Sequence, residues 1–139
     1  MPEEPMGSIA TADFMRTVLN TTIFTPCDDV KAVLPKFFSP AYVQITDGKR
    51  IDYQDFADHL VHLRSLVAGG EIVMHHALRE DRSIAERHTV NVTMKAGGTS
   101  SFEVLMIGVL DEQDRLLVVN ETTRQLSGDA EHADLGSAR

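Results

Sequence analysis

Glu121 stands in an otherwise apolar and hydroxyl-bearing run, Leu116-Leu117-Val118-Val119-Asn120-Glu121-Thr122-Thr123. A carboxylate on the apolar face of a strand loses hydration, which raises its pKa and makes it a usable proton carrier near neutral pH. Arg87 could orient an anionic substrate or stabilise an enolate oxygen, because developing negative charge needs a fixed positive partner. His76 titrates near working pH and could pass a proton. Each has a plainer reading: Glu121 pairs with Arg87 or Arg124, and His76 satisfies a backbone carbonyl.

Whether these groups meet depends on strand parity, since alternate residues of a strand share a face. The second half of the chain reads as four long antiparallel strands over 71–79, 84–95, 100–110 and 115–125. Their turns fall at Asp81-Arg82, Gly97-Gly98 and Glu112-Gln113-Asp114. A two-residue turn at Asp81-Arg82 predicts His75 opposite His88 and His76 opposite Arg87. One at Gly97-Gly98 predicts Thr89 beside Met106 and Asn91 beside Val104, and the last hairpin predicts Glu121 beside Val104.

One face then carries His76, Arg87, Thr89, Asn91, Phe102, Val104, Met106, Val119, Glu121 and Thr123. It is apolar with a few separated polar groups, the composition of a small-molecule cavity. In it Phe102, Val104, Met106 and Val119 shape the pocket, while Thr89 and Asn91 either orient a ligand or bond across strands. Tyr42, on a short earlier strand, either donates to a ligand carbonyl or packs with its tip in water. The other face carries His75, Glu86, His88, Val90, Val92, Leu105, Ile107, Val109 and Val118. It is more aliphatic than a solvated sheet face should be and predicts a homodimer through it. His75, Glu86 and His88 there suggest a metal, but the chain lacks a helix-borne His-Glu motif and has one cysteine, Cys27, so no metal or other cofactor is expected.

The first half reads as helical. Phe14, Met15, Val18 and Leu19 mark one face of a helix over 10–23. Thr25-Pro26-Cys27-Asp28 is a helix-start signal for a second helix, with Val30, Val33, Leu34, Phe37 and Phe38 as its stripe and Pro35 tightening or ending it early. A short strand over 41–46 ends at the turn Asp47-Gly48. Asp52 then caps a third helix, with Asp55 at the capping-box position and Gly69-Gly70 as the stop. Helices followed by meandering strands mean α+β, with helices on one face of a curved sheet.

With 139 residues, 13 Lys+Arg against 21 Asp+Glu and 42% hydrophobic residues, the chain suits one domain with a single core. The net charge of −8 argues against a nucleic-acid or membrane-surface partner, both of which need a cationic footprint. No apolar run approaches the roughly 18 residues of a bilayer span. The start Met1-Pro2-Glu3-Glu4-Pro5 lacks the basic and apolar regions of a secretory signal, so a cytoplasmic location is expected. The polar ends, 1–8 and 127–139, read as flexible tails around one domain over 9–126.

The order of these elements resembles the nuclear-transport-factor-2-like superfamily and within it the SnoaL-like polyketide cyclase and ketosteroid-isomerase-like group. The likeness rests on Phe38-Ser39-Pro40-Ala41-Tyr42-Val43-Gln44 leading into Asp47-Gly48, on Asp55-Phe56-Ala57-Asp58-His59-Leu60, on Ala85-Glu86-Arg87-His88-Thr89-Val90, and on Asp114-Arg115-Leu116-Leu117-Val118-Val119-Asn120-Glu121. It implies a cone-shaped half-barrel, a curved and mainly antiparallel sheet wrapped around three N-terminal helices. It further implies a mouth that holds a small apolar ligand, and commonly a homodimer. SnoaL-like sequences often place an acidic residue at the step that Glu121 fills. The chain departs from ketosteroid isomerases, with Met106 where an oxyanion-holding aspartate would stand and Val43, Gln44 and Ile45 in place of the base aspartate. The Arg-flanked aspartates of the epoxide hydrolase group are not evident either.

Two functions remain expected. One is a cofactor-free cyclase, isomerase or dehydratase acting beside a carbonyl on a small apolar or aromatic substrate, with Glu121 as acid/base and Arg87 and His76 positioning charge. The other is a non-catalytic binding or dimerisation domain of the same fold, since fold alone does not decide activity.

Overall fold

Helix α1, Ser8–Leu19, buries Met15 and Val18 and runs on through a wider π turn, Asn20–Phe24. The Thr22 hydroxyl donates to Val18 O at 2.8 Å within that turn. Thr25, expected to start the second helix, instead ends the first: its backbone is extended and its N–H donates to Asn20 O. The cap of α2, Val30–Val33, is Asp29, whose side chain accepts from Lys31 N at 3.0 Å. Pro35 has no N–H to extend the helix, and the chain tightens into a 3-10 turn, Leu34–Lys36. The computed structural model describes residues 8–133 and Leu135, so the expected N-terminal tail lies outside the described residues up to Met6-Gly7.

Strand β1, Phe38–Thr46, turns at Asp47 and Gly48, both with positive φ, into a short partner strand β2, Lys49–Asp52. Asp52 Oδ1 then accepts from Asp55 N at 2.9 Å and caps α3, Tyr53–Leu66. Gly69-Gly70 was expected to stop this helix, but α3 stops at Leu66 and the glycines lie inside β3, Val67–Glu80. Gly70 is required there by contact. A Cβ on it would stand 2.2 Å from Asn91 O and 2.7 Å from the Phe24 ring.

Strands β4, Ser83–Met94, β5, Thr99–Leu110, and β6, Leu116–Ser127, complete a six-stranded sheet in the order β2-β1-β6-β5-β4-β3. All neighbours are antiparallel except β1 and β6. The fold is α+β: a curved, unclosed, mixed sheet holding the helices in its hollow. One core cluster joins Met15, Leu34, Phe38, Tyr42, Phe56, Ile84 and Met106, and a second joins Leu63, Val67, Val92, Met94, Phe102 and Leu135. Among the described residues no helix is long and apolar enough to cross a membrane.

Some described residues of the segment expected as a C-terminal tail make contacts with the domain. Ala130–His132 forms a 3-10 turn capped by the Asp129 side chain, His132 Nδ1 lies 2.6 Å from Ser100 Oγ, and Leu135 is buried. A lone leucine carries no periodicity, so the apolar pattern could not reveal it. The rest of that expected tail, Asp134 and 136–139, lies outside the described residues.

Candidate active site

The sheet and helices enclose a cavity of about 130 Å³. Phe102, Val104, Met106 and Val119 line it from β5 and β6, and Tyr42, Phe56, Leu60 and Val18 line it from β1 and the helices. Phe38, Tyr42 and Phe56 pack as one aromatic trio, with ring centroids 4.7–4.8 Å apart. Into this wall project Gln44, His59, Glu86, His88, Glu121 and Thr123.

Glu121 is fixed by an ordered series of side-chain donors along β1. Tyr42 OH donates to Gln44 Oε1 at 2.8 Å, Gln44 Nε2 donates to Thr46 Oγ1 at 2.9 Å, and Thr46 OH donates to Glu121 Oε1 at 2.9 Å. The parallel pairing of β1 with β6 makes this possible, because it sets Thr46 beside Glu121. Loss of hydration raises the Glu121 carboxyl from its ordinary 4.5 to about 7, against the Thr46 hydrogen bond and His88, which lower it; Glu86 and Asp47 raise it further. Burial also pushes the Tyr42 phenol well above its usual value, and the charge of Glu121 adds to this.

The second polar group is a pair of neighbours on β4. His88 Nδ1 lies 2.8 Å from both carboxylate oxygens of Glu86, and both side chains are almost wholly buried. In the sheet, Glu86, Met106 and Glu121 form one cross-strand row, and His88, Val104 and Thr123 form the next. With Nδ1 engaged by the carboxylate, the ring is held in one orientation and Nε2 is its remaining polar atom. Among the described residues every buried side-chain nitrogen and oxygen has a hydrogen-bond partner.

The parity expected for β5 and β6 agrees with this arrangement, although Glu121 stands opposite Met106 and not Val104. The parity expected for β4 is reversed. The connection after β4 is longer than two residues: Thr93 pairs with Thr99, and Met94 N–H donates to Gly98 O at 3.0 Å across the loop. Arg87 therefore pairs with Leu105, and Glu86, His88, Val90 and Val92 take the inner face.

Arg87, Thr89, Asn91 and His76 consequently stand on the outer face and do not line the cavity. Arg87 Nη1 pairs with Glu103 Oε2 at 3.2 Å, and Arg124 Nη2 pairs with Glu103 Oε1 at 3.3 Å, so neither arginine neutralises Glu121. Thr89 Oγ1 bonds His75 Nε2 at 2.7 Å, and Asn91 bonds Glu71 and Ser101. His76 does face Arg87, but a bulge between Met74 and His76 leaves Met74, not His75, opposite His88. Tyr42 lines the cavity with its side chain buried, and its hydroxyl proton is donated to Gln44 and so is not available to a ligand carbonyl. Sequence reasoning missed Gln44, His59 and the Glu86–His88 pair as cavity groups, and Thr46 as the donor to Glu121. The alternation of Tyr42, Gln44 and Thr46 with Glu121 across a parallel pair was the one signal that could have found part of them.

No family model and no curated protein matches the chain. Solved structures do. An LEH-like epoxide hydrolase of M. tuberculosis superposes with a TM-score of 0.64 at 14% identity, covering 84% of each chain. An NTF2-like protein of unknown function from Exiguobacterium sp. 255-15 gives 0.63 at 8% identity, covering 82% of this chain and 94% of the other. A candidate SnoaL-like polyketide cyclase from Jannaschia sp. CCS1 gives 0.62 at 13% identity, covering 88% and 90%. The cone-shaped sheet, the helices in its hollow and these superpositions together make the chain a protein of the nuclear-transport-factor-2-like fold.

Proposed function

We propose that this chain binds a small, mostly apolar carbonyl compound and transfers a proton next to its carbonyl without a cofactor. Glu121 is the proton carrier. The observation that carries the reading is geometric: the Glu121 carboxyl lines a mostly apolar cavity with Oε1 held by Thr46, and the loss of hydration there raises it to about 7. A carboxyl poised there both takes and returns a proton near neutral pH. As carboxylate it removes the proton beside the carbonyl, and the carbonyl oxygen becomes an enolate. His88, oriented by Glu86, is the group we assign to that oxygen: as imidazolium, with Nδ1–H given to the Glu86 carboxylate, it donates to the oxygen from Nε2. Glu121 then returns its proton to the same carbon or to another. His88 takes the charge-positioning role expected of Arg87 and His76, which stand on the outer face.

Two neighbours of the same fold are named as a SnoaL-like cyclase candidate and an LEH-like epoxide hydrolase, which supports a small-ligand cavity over a scaffold role. We also propose a homodimer through the outer sheet face. Leu78, Leu105 and Ile107 are each more than half exposed there, at 67%, 52% and 66%, and Val109 adjoins them.

The test works on a panel of simple ketones rather than on one natural substrate. Small aromatic and alicyclic ketones in D2O are followed by NMR for exchange of the protons beside the carbonyl. The chain should accelerate exchange for a subset, and Glu121→Gln should slow it by about 10²- to 10⁴-fold, the usual worth of a positioned acid/base. Exchange that is equally fast in Glu121→Gln refutes the role of Glu121. Saturable ketone binding with no exchange favours the non-catalytic binding domain.

A further inference from the structure

The end of the cavity away from Glu121 is lined by a side chain that belongs to no helix or strand of the cone. Leu135 packs among Leu63, Val67, Val92, Met94 and Phe102 and lines the same cavity as Glu121. The inner face of β4 runs Glu86, His88, Val90, Val92, so Leu135 lies about 20 Å of strand from the acidic end, at roughly 3.3 Å per residue.

Among the described residues its attachment is slight. Of the described residues from 128 onward, Leu135 alone is buried. The strap leaves β6 at Gly128, whose φ is +116 and where a Cβ would stand 2.1 Å from Ser100 Oγ. Among the described residues two side-chain hydrogen bonds tie it to the sheet, Ser100 Oγ with His132 Nδ1 at 2.6 Å and Gln125 Nε2 to Asp129 O at 2.7 Å. Leucine methyls and an alkyl tail are equivalent to a wall of aliphatic and aromatic side chains, because hydrophobic contact is non-directional. Releasing the strap also returns the conformational entropy lost in ordering it.

We propose that Leu135 is a displaceable plug that sets the length of ligand the cavity accepts. A short ligand lies at the Glu121 end with the plug in place. A ligand with a longer hydrocarbon tail occupies the position of the Leu135 side chain, and the strap swings out at Gly128. This rests on the reading that the cavity takes an apolar ligand, but not on Glu121 being a proton carrier.

The experiment uses straight-chain primary alcohols, butanol and decanol, and the full chain with labelled leucine methyls. Butanol should leave the Leu135 methyl resonances at their buried positions, and decanol should move them to exposed-chain positions. Leu135→Gly should bind decanol about tenfold more tightly than the natural chain, since the closed strap no longer competes, while butanol affinity is unchanged. Ser100→Ala, which keeps Leu135 but removes the latch, should shift decanol affinity in the same direction. Decanol binding with the Leu135 methyls unmoved, or with no gain in either variant, overturns the plug and leaves the apolar-ligand reading standing. If neither alcohol binds any of the three chains, that reading falls and the plug with it.

Discussion

Replacing Glu121 by Gln changes how stability depends on pH, by an amount that can be worked from the site. Glutamine keeps the shape and still accepts from Thr46, so the difference between the two chains isolates the ionisation. In the folded protein the carboxyl titrates at about 7, against 4.5 when unfolded and hydrated. Between those values the folded chain holds a proton that the unfolded chain has released. The stability of the natural chain relative to Glu121→Gln is therefore greatest below pH 4.5. It falls as pH rises, with a slope of at most about 1.36 kcal/mol per pH unit, and levels off above pH 7. Over that window the fall amounts to at most about 3 kcal/mol, trimmed by the partial exposure of Glu121. Urea unfolding followed by circular dichroism at pH 4.5, 6, 7 and 8 measures it, since the titrating groups that do not interact with Glu121 cancel in the difference. Carbon-detected NMR of the Glu121 carboxyl gives the same quantity directly. Parallel stability curves for the two chains, or a carboxyl that titrates near 4.5, would show that the site is not the water-poor hollow the reasoning requires.

Thr46→Val removes the hydrogen bond that holds the carboxyl down, so Glu121 should titrate above 7 in that variant, and an unchanged NMR titration would refute the donor series from Tyr42. His88→Leu leaves the Glu86 carboxylate buried without its partner and should cost about 3–5 kcal/mol in urea unfolding; the double variant with Glu86→Leu should recover most of it. Ile107→Lys puts a charge on the exposed outer face and should shift sedimentation at micromolar concentration from dimer to monomer, while a natural chain that sediments as a monomer refutes the dimer. Gly70→Ala drives a methyl into Asn91 O and the Phe24 ring and should destabilise by about 1–3 kcal/mol, read from the shift in the urea midpoint.

Local chemistry was legible wherever a residue acts on its near neighbours in the chain. Asp52 caps α3 because its carboxylate needs only Asp55 N, and Pro35 tightens the chain because it lacks a donor. The meander of β3 to β6 followed from alternation and turn residues, and the facing of Glu121 with Val119, Met106, Val104 and Phe102 followed from parity in the last hairpin. Thr25-Pro26 misled because its start signal is matched by Asp29, where the buried residue Val30 begins the helix.

What the sequence by itself determined is the α+β order, the Asp52 cap of α3 and the alternation of β5 and β6, all of which depend on bonding within a few residues. Tertiary structure decided the facing of β4, because the positive φ of Gly97 and Gly98 and the bond from Met94 to Gly98 lengthen the loop and reverse which side chains point inward. It also decided that the bulge after Met74 turns His75 outward, that Arg87 and Arg124 share Glu103, and that Leu135 joins the wall of the cavity. The raised pKa of Glu121 belongs to the same class. The water it loses is excluded by helices and strands that meet only in the folded chain, and the hydrogen bond it gains comes from a strand 75 residues earlier.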